Sequence, residues 1–298
     1  MNTTINKIFT IALIFIGFST ISSCQPEEPK SNGLAISADA ISADFTIDQS
    51  KAASNEFKFI GKTENILANF WDIGDGNNPV KSGNTVSAFI PDAGTYTIQH
   101  TAVGRGGASK TKSETLMVAT SDLASGNLVQ GGKFLNATDH AKWTILNIAG
   151  THINWTFGNG FANVGGSSPS QYSQQGIYQA LQIVGGRKYK VDMKISGSPC
   201  LNTWFELYVG TVVPQQNNVG GDYNSGGKRL SIKTFDGCLM TSAFSGKLSE
   251  LNCDGSGSTI QFPTSGTVYL VIRSGGFGNN TLGLGGVKVT NVEFRGIK

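Results

Sequence analysis

Charge is scarce in this chain. Lys, Arg, Asp and Glu together make up 14% of its 298 residues, against about 25% in an ordinary globular protein. So few charges cannot clothe long amphipathic helices. The formal net charge of +3 is spread along the sequence with no basic block, which argues against nucleic acid as a partner. There are only three histidines and four cysteines. Their spacing matches no zinc pattern, and His100, His140 and His152 form no cluster with the cysteines, so no transition metal is expected. Neither G-x-S-x-G nor H-E-x-x-H occurs, which removes two familiar hydrolase signatures.

What the chain has in quantity is glycine, 39 residues, roughly double the usual share of about 7%. Such a chain is rich in turns. It opens with Lys7, an apolar run over residues 8–18, and then Ile21-Ser22-Ser23-Cys24. A basic start, a short apolar stretch and a small-residue cleavage site make an export signal. The run falls short of the ~20 apolar residues that span a membrane. The cleavage region resembles a bacterial lipobox, which implies residues 1–23 as signal and Cys24 as the lipidated first residue of the mature chain. An ordinary secretory signal with a chance cysteine is the alternative. Residues 24–35, beginning Gln25-Pro26-Glu27-Glu28 after the cysteine, read as an extended tether. The acidic patch resembles the surface-export signal of Bacteroidota lipoproteins, implying an outer-membrane, lipid-anchored protein facing the cell exterior; a spacer facing the periplasm is the plainer reading. With Cys24 lipidated, Cys238 and Cys253 flank a short segment and are the preferred disulfide, leaving Cys200 as a buried thiol.

Residues 36–120 read as short strands at 8–12-residue spacing, the pattern of a β-sandwich. Phe57 and Phe59 share one face of one strand, and Tyr96 and Ile98 share one face of another. The signature Trp71-Asp72-Ile73-Gly74-Asp75-Gly76, followed by Gly94-Thr95-Tyr96, resembles a PKD domain. That resemblance implies an immunoglobulin-like sandwich acting as a spacer or protein-contact module, with Trp71 in its core.

A small polar linker follows at residues 120–126. Beyond it, residues 127–298 carry longer strands and three of the four tryptophans. Residues 177–184 and 188–195 alternate on either side of Gly185-Gly186 and are expected to pair as a hairpin. In Trp204-Phe205-Glu206-Leu207-Tyr208-Val209, positions 205, 207 and 209 are the simpler core choice, which turns Trp204, Glu206 and Tyr208 outward together. Tyr269 and Arg273 face outward on a later strand, as do Tyr178 and Gln182 on an earlier one. Aromatics on the free face of a sandwich need a reason to be there. A sugar ring stacks its C–H face on Trp or Tyr while its hydroxyls bond to Glu, Gln and Arg. Trp155 shares a face with Ile153 and Phe157, a core pattern, but the following Gly158-Asn159-Gly160 turn gives it a second route to a ligand. The loops 167–175, with Tyr172, and 214–227, with Asp222-Tyr223-Asn224, are further candidates.

Several runs carry a second resemblance. Asn127-Leu128-Val129-Gln130-Gly131-Gly132, then Gln179-Ala180-Leu181-Gln182-Ile183, then Val287-Lys288-Val289-Thr290-Asn291 resemble the jelly-roll carbohydrate-binding modules of the family 4 and 9 type. The whole is then expected to be all-β, an N-terminal immunoglobulin-like (PKD) sandwich followed by a larger jelly roll. The resemblance implies a cell-surface glycan-binding protein of a polysaccharide-utilisation system, holding a β-1,3-glucan such as laminarin beside an outer-membrane importer without breaking a bond. The expected carbohydrate contacts are Trp204, Glu206, Tyr208, Tyr178, Gln182, Tyr269, Arg273, Trp155 and Tyr223. No cofactor is expected. Such modules often carry a structural calcium, but Thr290-Asn291 stands where an acidic ligand belongs. A jelly-roll glycoside hydrolase or lyase and a surface adhesin are the alternatives.

Overall fold

The computed structural model describes residues 40–62, 64–218, 223–224 and 227–297. The export signal, Cys24, the tether and Asp222 lie outside the described residues. Among the described residues, seven strands form the first sandwich: β1 (Phe45–Asp48), β2 (Glu56–Gly61), β3 (Ile66–Asp72), β4 (Val80–Ser82), β5 (Thr85–Phe89), β6 (Gly94–Gly104) and β7 (Ser109–Val118). They pair as a three-stranded sheet, β1-β2-β5, and a four-stranded sheet, β4-β3-β6-β7. Phe57 and Phe59 from one sheet meet Trp71, Ile98 and Leu116 from the other in a single core. Trp71 stacks on the buried His100 at 4.1 Å, and its indole N–H donates to the Gly83 carbonyl at 3.1 Å.

The second sandwich has eleven strands among the described residues: β8 (Thr144–Ala149), β9 (Ile153–Gly158), β10 (Phe161–Ser168), β11 (Ser173–Ile183), β12 (Lys188–Gly197), β13 (Leu201–Gly210), β14 (Lys228–Lys233), β15 (Phe244–Lys247), β16 (Thr259–Gln261), β17 (Gly266–Thr281) and β18 (Val287–Ile297). A front sheet runs β8-β11-β17-β13-β14. A back sheet runs β9-β10-β18-β12, with β15 and β16 sharing the far edge of β12. The end of β10 leaves the back sheet and pairs with the end of β17, Ser168 opposite Asn280, stitching the two together.

Here the structure corrects one expectation. β11 and β12 do not form a hairpin: β11 pairs with β8 and β17, and β12 with β15, β16 and β18. Both strands turn their apolar sides to the same core, Ile177 and Leu181 on one and Tyr189, Val191 and Met193 on the other. Facing strands satisfy that demand across the core, not side by side. The Gly185-Gly186 link therefore crosses between sheets, with Gly186 at φ 74° and Val184 N–H donating to the Tyr189 hydroxyl at 2.8 Å.

The two sandwiches meet at a polar junction. Asp92, between β5 and β6, accepts both Arg295 guanidinium nitrogens at 2.7 Å and the Asn127 backbone N–H at 2.7 Å. Burial raises the Asp92 carboxyl, but the Arg295 fork and the Asn127 N–H outweigh it and hold its pKa below 3.8. Elsewhere in the second sandwich a Cys238–Cys253 disulfide, Cα–Cα 5.9 Å, clips the segment after β14 to the one before β16. Closing so short a loop stabilises by about 3 kcal/mol in the chain-entropy account. Cys200 is a buried free thiol, pushed up to about 11 by burial.

Candidate functional site

The outward face of the front sheet divides into two halves, and strand alternation decides what stands on each. On β13, Phe205, Leu207 and Val209 enter the core between the sheets. Trp204, Glu206 and Tyr208 therefore point the other way. Their fates differ along the strand.

At the Tyr208 end the face is covered. Tyr208 and Val271 pack with Leu146, Ile148 and Tyr223 in a second, smaller apolar cluster, of the kind that forms beneath long loops. Tyr223 sits edge-on to Tyr208 at 5.7 Å and donates its hydroxyl to the Val212 carbonyl at 2.8 Å. Gln216 anchors the same loop to β8 through the Asn147 N–H and the Ile145 carbonyl. Burial pushes the Tyr208 and Tyr223 phenols well above their ordinary range. Tyr223 is thus corrected from a loop-tip contact to a structural plug, buried against Tyr208.

Next along the strand comes a buried polar network. Glu206 Oε2 accepts from Arg273 Nε at 2.7 Å and from its terminal nitrogen at 2.6 Å. Arg273 also donates to the Tyr208 hydroxyl at 2.9 Å and to Gln174 Oε1 at 3.3 Å. Glu206 and Arg273 are 8% and 7% exposed. The expectation that they project freely is corrected: each is consumed by the other, because a buried charge must be paired. The network opens at its rim, where Lys228 lies 3.7 Å from Glu206 and 2.5 Å from Asp254.

At the Trp204 end the face is open and aromatic. Trp204 is half-buried and packs its ring against Gly275, where a Cβ would collide with it. Glycine is required there because anything larger lifts the indole off the sheet. Around it stand three exposed rings. Tyr172 is 6.0 Å away, Phe277 is 6.2 Å away and nearly parallel, and Phe235 continues the line 6.1 Å beyond Phe277. The buried Asn280 amide ties the loop of Tyr172 to the irregular end of β17 that carries Phe277, donating to the Gln171 and Gly278 carbonyls, each at 2.9 Å. Gln174 joins strip to network, donating to the Tyr172 hydroxyl at 2.7 Å while accepting from Arg273. Lys233 sits 4.9 Å over the Phe235 ring and pairs with Asp236 at 2.6 Å. An apolar strip bordered by bonded polar groups is suited to a ligand with one apolar and one hydroxylated side.

The other expected contacts lie elsewhere. Tyr178 and Tyr269 stand 6.5 Å apart and pack against the covered cluster. Gln182 bonds Thr267 across β11 and β17, further from Trp204 still. Trp155 is corrected outright. It is 5% exposed, belongs to the main core, and gives its indole N–H to the Gln175 carbonyl. Phe235 and Phe277 are absent from the expected contacts, although both carry a signal. Phe277 sits between Gly275-Gly276 and Gly278, and Phe235 precedes Asp236-Gly237.

No family model matches the chain, and no curated protein matches it in sequence. Among solved structures it is similar to a carbohydrate-binding module of the β-sandwich superfamily, at 16% identity over 85% of this chain and 96% of that one, TM-score 0.31. It is also similar to a family 4 carbohydrate-binding module, at 12% identity over 57% of this chain and 99% of that one, TM-score 0.35. A chitinase of Bacillus thuringiensis matches at 9% identity over 84% of this chain and 28% of its own, TM-score 0.22. Likenesses this distant leave the function to be sought in the chain's own side chains.

Proposed function

We propose that this chain binds a neutral polysaccharide on the strip of Tyr172, Trp204, Phe277 and Phe235, and does not cleave it. One observation carries the reading: an indole packed against Gly275 and flanked by exposed rings that buried amides hold in place. Exposed aromatic area of this kind marks a binding surface, and the pinning of its loops lowers the ordering cost of binding. The Lys233 and Asp236 side chains at its border supply directional bonds to hydroxyls.

Catalysis is disfavoured by the carboxylates. Glycoside hydrolysis requires two of them, one on each side of the scissile bond. On this face Glu206 is locked to Arg273, Asp254 to Lys228 and Asp236 to Lys233. Hydrogen bonding from Lys228 holds the Asp254 carboxyl below its ordinary value, the reverse of what a general acid needs. The charges also balance, Lys228, Lys233 and Arg273 against Glu206, Asp236 and Asp254, which suits an uncharged ligand.

In the full proposal Cys24 carries the lipid that holds the chain on the outer face of the outer membrane. The PKD-like first sandwich acts as a spacer, and the strip presents a β-1,3-glucan such as laminarin to an importer of a polysaccharide-utilisation system. Affinity electrophoresis through laminarin, mixed-linkage glucan, xylan and mannan tests the binding step. Retardation by at least one glycan, abolished by Trp204→Ala, is the expected result. Equal mobility in all four gels defeats the reading, and so does release of reducing sugar.

A further inference from the structure

The back sheet presents a different chemistry on its outward face. Lys188, Lys190 and Lys194 project from one side of β12, successive outward positions lying about 6.6 Å apart. Across the β12–β15 pair Lys194 stands directly opposite Lys247, and across the β12–β18 pair Lys288 stands opposite Ser196. Like charges placed directly opposite destabilise an antiparallel pair. Glu250 approaches Lys247 at 3.7 Å, but both are well exposed, at 54% and 66%, so the contact is screened and worth little. Asp192, within the lysine row and opposite Glu293, is occupied in bonding Ser249 through its hydroxyl and N–H. Lys288 is held over the Phe161 ring at 4.8 Å, an attraction that orders its side chain. Lys194, Lys247 and Lys288 line a groove of about 530 Å³ together with Ser196, Ser245 and Thr290, and Glu250 is its one carboxylate.

We propose that this groove is a second ligand site, for an anionic saccharide bearing carboxylate or sulfate groups. The three ammonium groups outnumber the one carboxylate of the groove, Glu250, and an anion between them relieves their repulsion. The hydroxyls interleaved with them are the partners a sugar uses and a bare ion does not need. The lysines line a concave groove, whereas a membrane surface would meet a projecting row. The site lies on the opposite sheet from the aromatic strip and uses none of its residues, so the two sites are separable.

Affinity electrophoresis of the mature chain in polygalacturonate, in chondroitin sulfate and in laminarin provides the test, alongside sedimentation with phosphatidylglycerol vesicles. The variant is K194Q/K247Q/K288Q. Its control is K58Q/K81Q/K110Q, three lysines on the first sandwich. Retention by polygalacturonate or chondroitin sulfate is expected at low salt. It should weaken at least tenfold in the groove variant, stay unchanged in the control, and fade as salt rises. Which of the two gels retains the protein distinguishes carboxylate from sulfate. Laminarin mobility should not change. The thermal midpoint of the groove variant should hold or rise, because opposed charges are removed. Failure of both anionic gels to retain the native chain overturns the proposal. So does equal retention of native and groove variant, equal loss in both triple variants, or capture by the vesicles alone.

Discussion

Trp71 and Trp204 begin from similar sequence settings and end in opposite circumstances. Each lies on a strand whose neighbours alternate. In the first sandwich Trp71 is 3% exposed, stacked on His100 and satisfied at its N–H. In the second, Trp204 faces outward among exposed rings, and its indole nitrogen is enclosed without an acceptor among the described residues. The first sandwich spends its tryptophan on its own stability. The second fills its core with aliphatic residues and other rings, Trp143, Trp155, Phe205 and Phe294 among them, leaving Trp204 free for another task. Alternation assigns a side; what covers that side decides the role.

The largest effects should come from attacking the buried half of this contrast. Trp71→Ala is expected to cost about 3–5 kcal/mol, seen in denaturant unfolding, while the folded variant keeps its mobility in glycan gels. Arg273→Ala should cost a similar ~3–5 kcal/mol, because it strands the Glu206 carboxylate in a buried site. Replacing both partners with apolar residues should recover much of that stability. Were Arg273→Ala no less stable than the native chain, the network under the strip would not be structural.

Smaller effects probe the outward half. Phe277→Ala and Gly275→Ala are each expected to weaken glycan retention about tenfold, a change of about 1.4 kcal/mol, with little change in thermal midpoint for Phe277→Ala and a lowered one for Gly275→Ala, whose Cβ meets the buried Gln174. Gly275→Ala touches no ligand and acts by displacing the indole and the Gln174 side chain beside it. Undiminished retention in that variant would show that the pose of Trp204 on the sheet is immaterial.

The smallest effect is in acid stability, and it belongs to the first sandwich and the junction. Burial lowers the His100 pKa from 6.5, with both ring nitrogens engaged by the Ala43 carbonyl and Asn69. The unfolded chain takes up this proton at higher pH than the folded one. Stability from His100 is therefore whole above about pH 6.5 and drawn down as pH falls toward the lower folded value. Asp92, held below 3.8, adds a second loss at lower pH, present above 3.8 and lost as the carboxyl protonates. His100→Gln should flatten the first step in a melting-temperature profile over pH 4–7, an outcome that a surface histidine would not give.

Much of this organisation is legible in residue patterns. Alternation on 204–209 places Phe205, Leu207 and Val209 in the core and turns their neighbours outward, as the structure has them. The pattern is silent on cover. Tyr208 and Trp204 are equivalent by period two, and only a distant loop bringing Tyr223 onto one of them separates their roles. The Gly185-Gly186 link misleads because a hairpin turn and a crossover between sheets need the same tight backbone. Phe235 escapes detection because it stands on a bend, and Phe277 because it lies where the β17 register against β13 jumps from Gly276 to Thr281; no simple periodicity applies at either, and the position of Phe277 depends on tertiary ties such as the Asn280 amide.

A crystal structure of the chain with an oligosaccharide of whichever glycan retards it decides whether carbohydrate lies on the aromatic strip. A sugar ring stacked on Trp204, with Tyr172 and Phe277 beside it, is the expected result. Sugar density confined to Tyr178 and Tyr269, or lying away from every one of the four rings, would refute it.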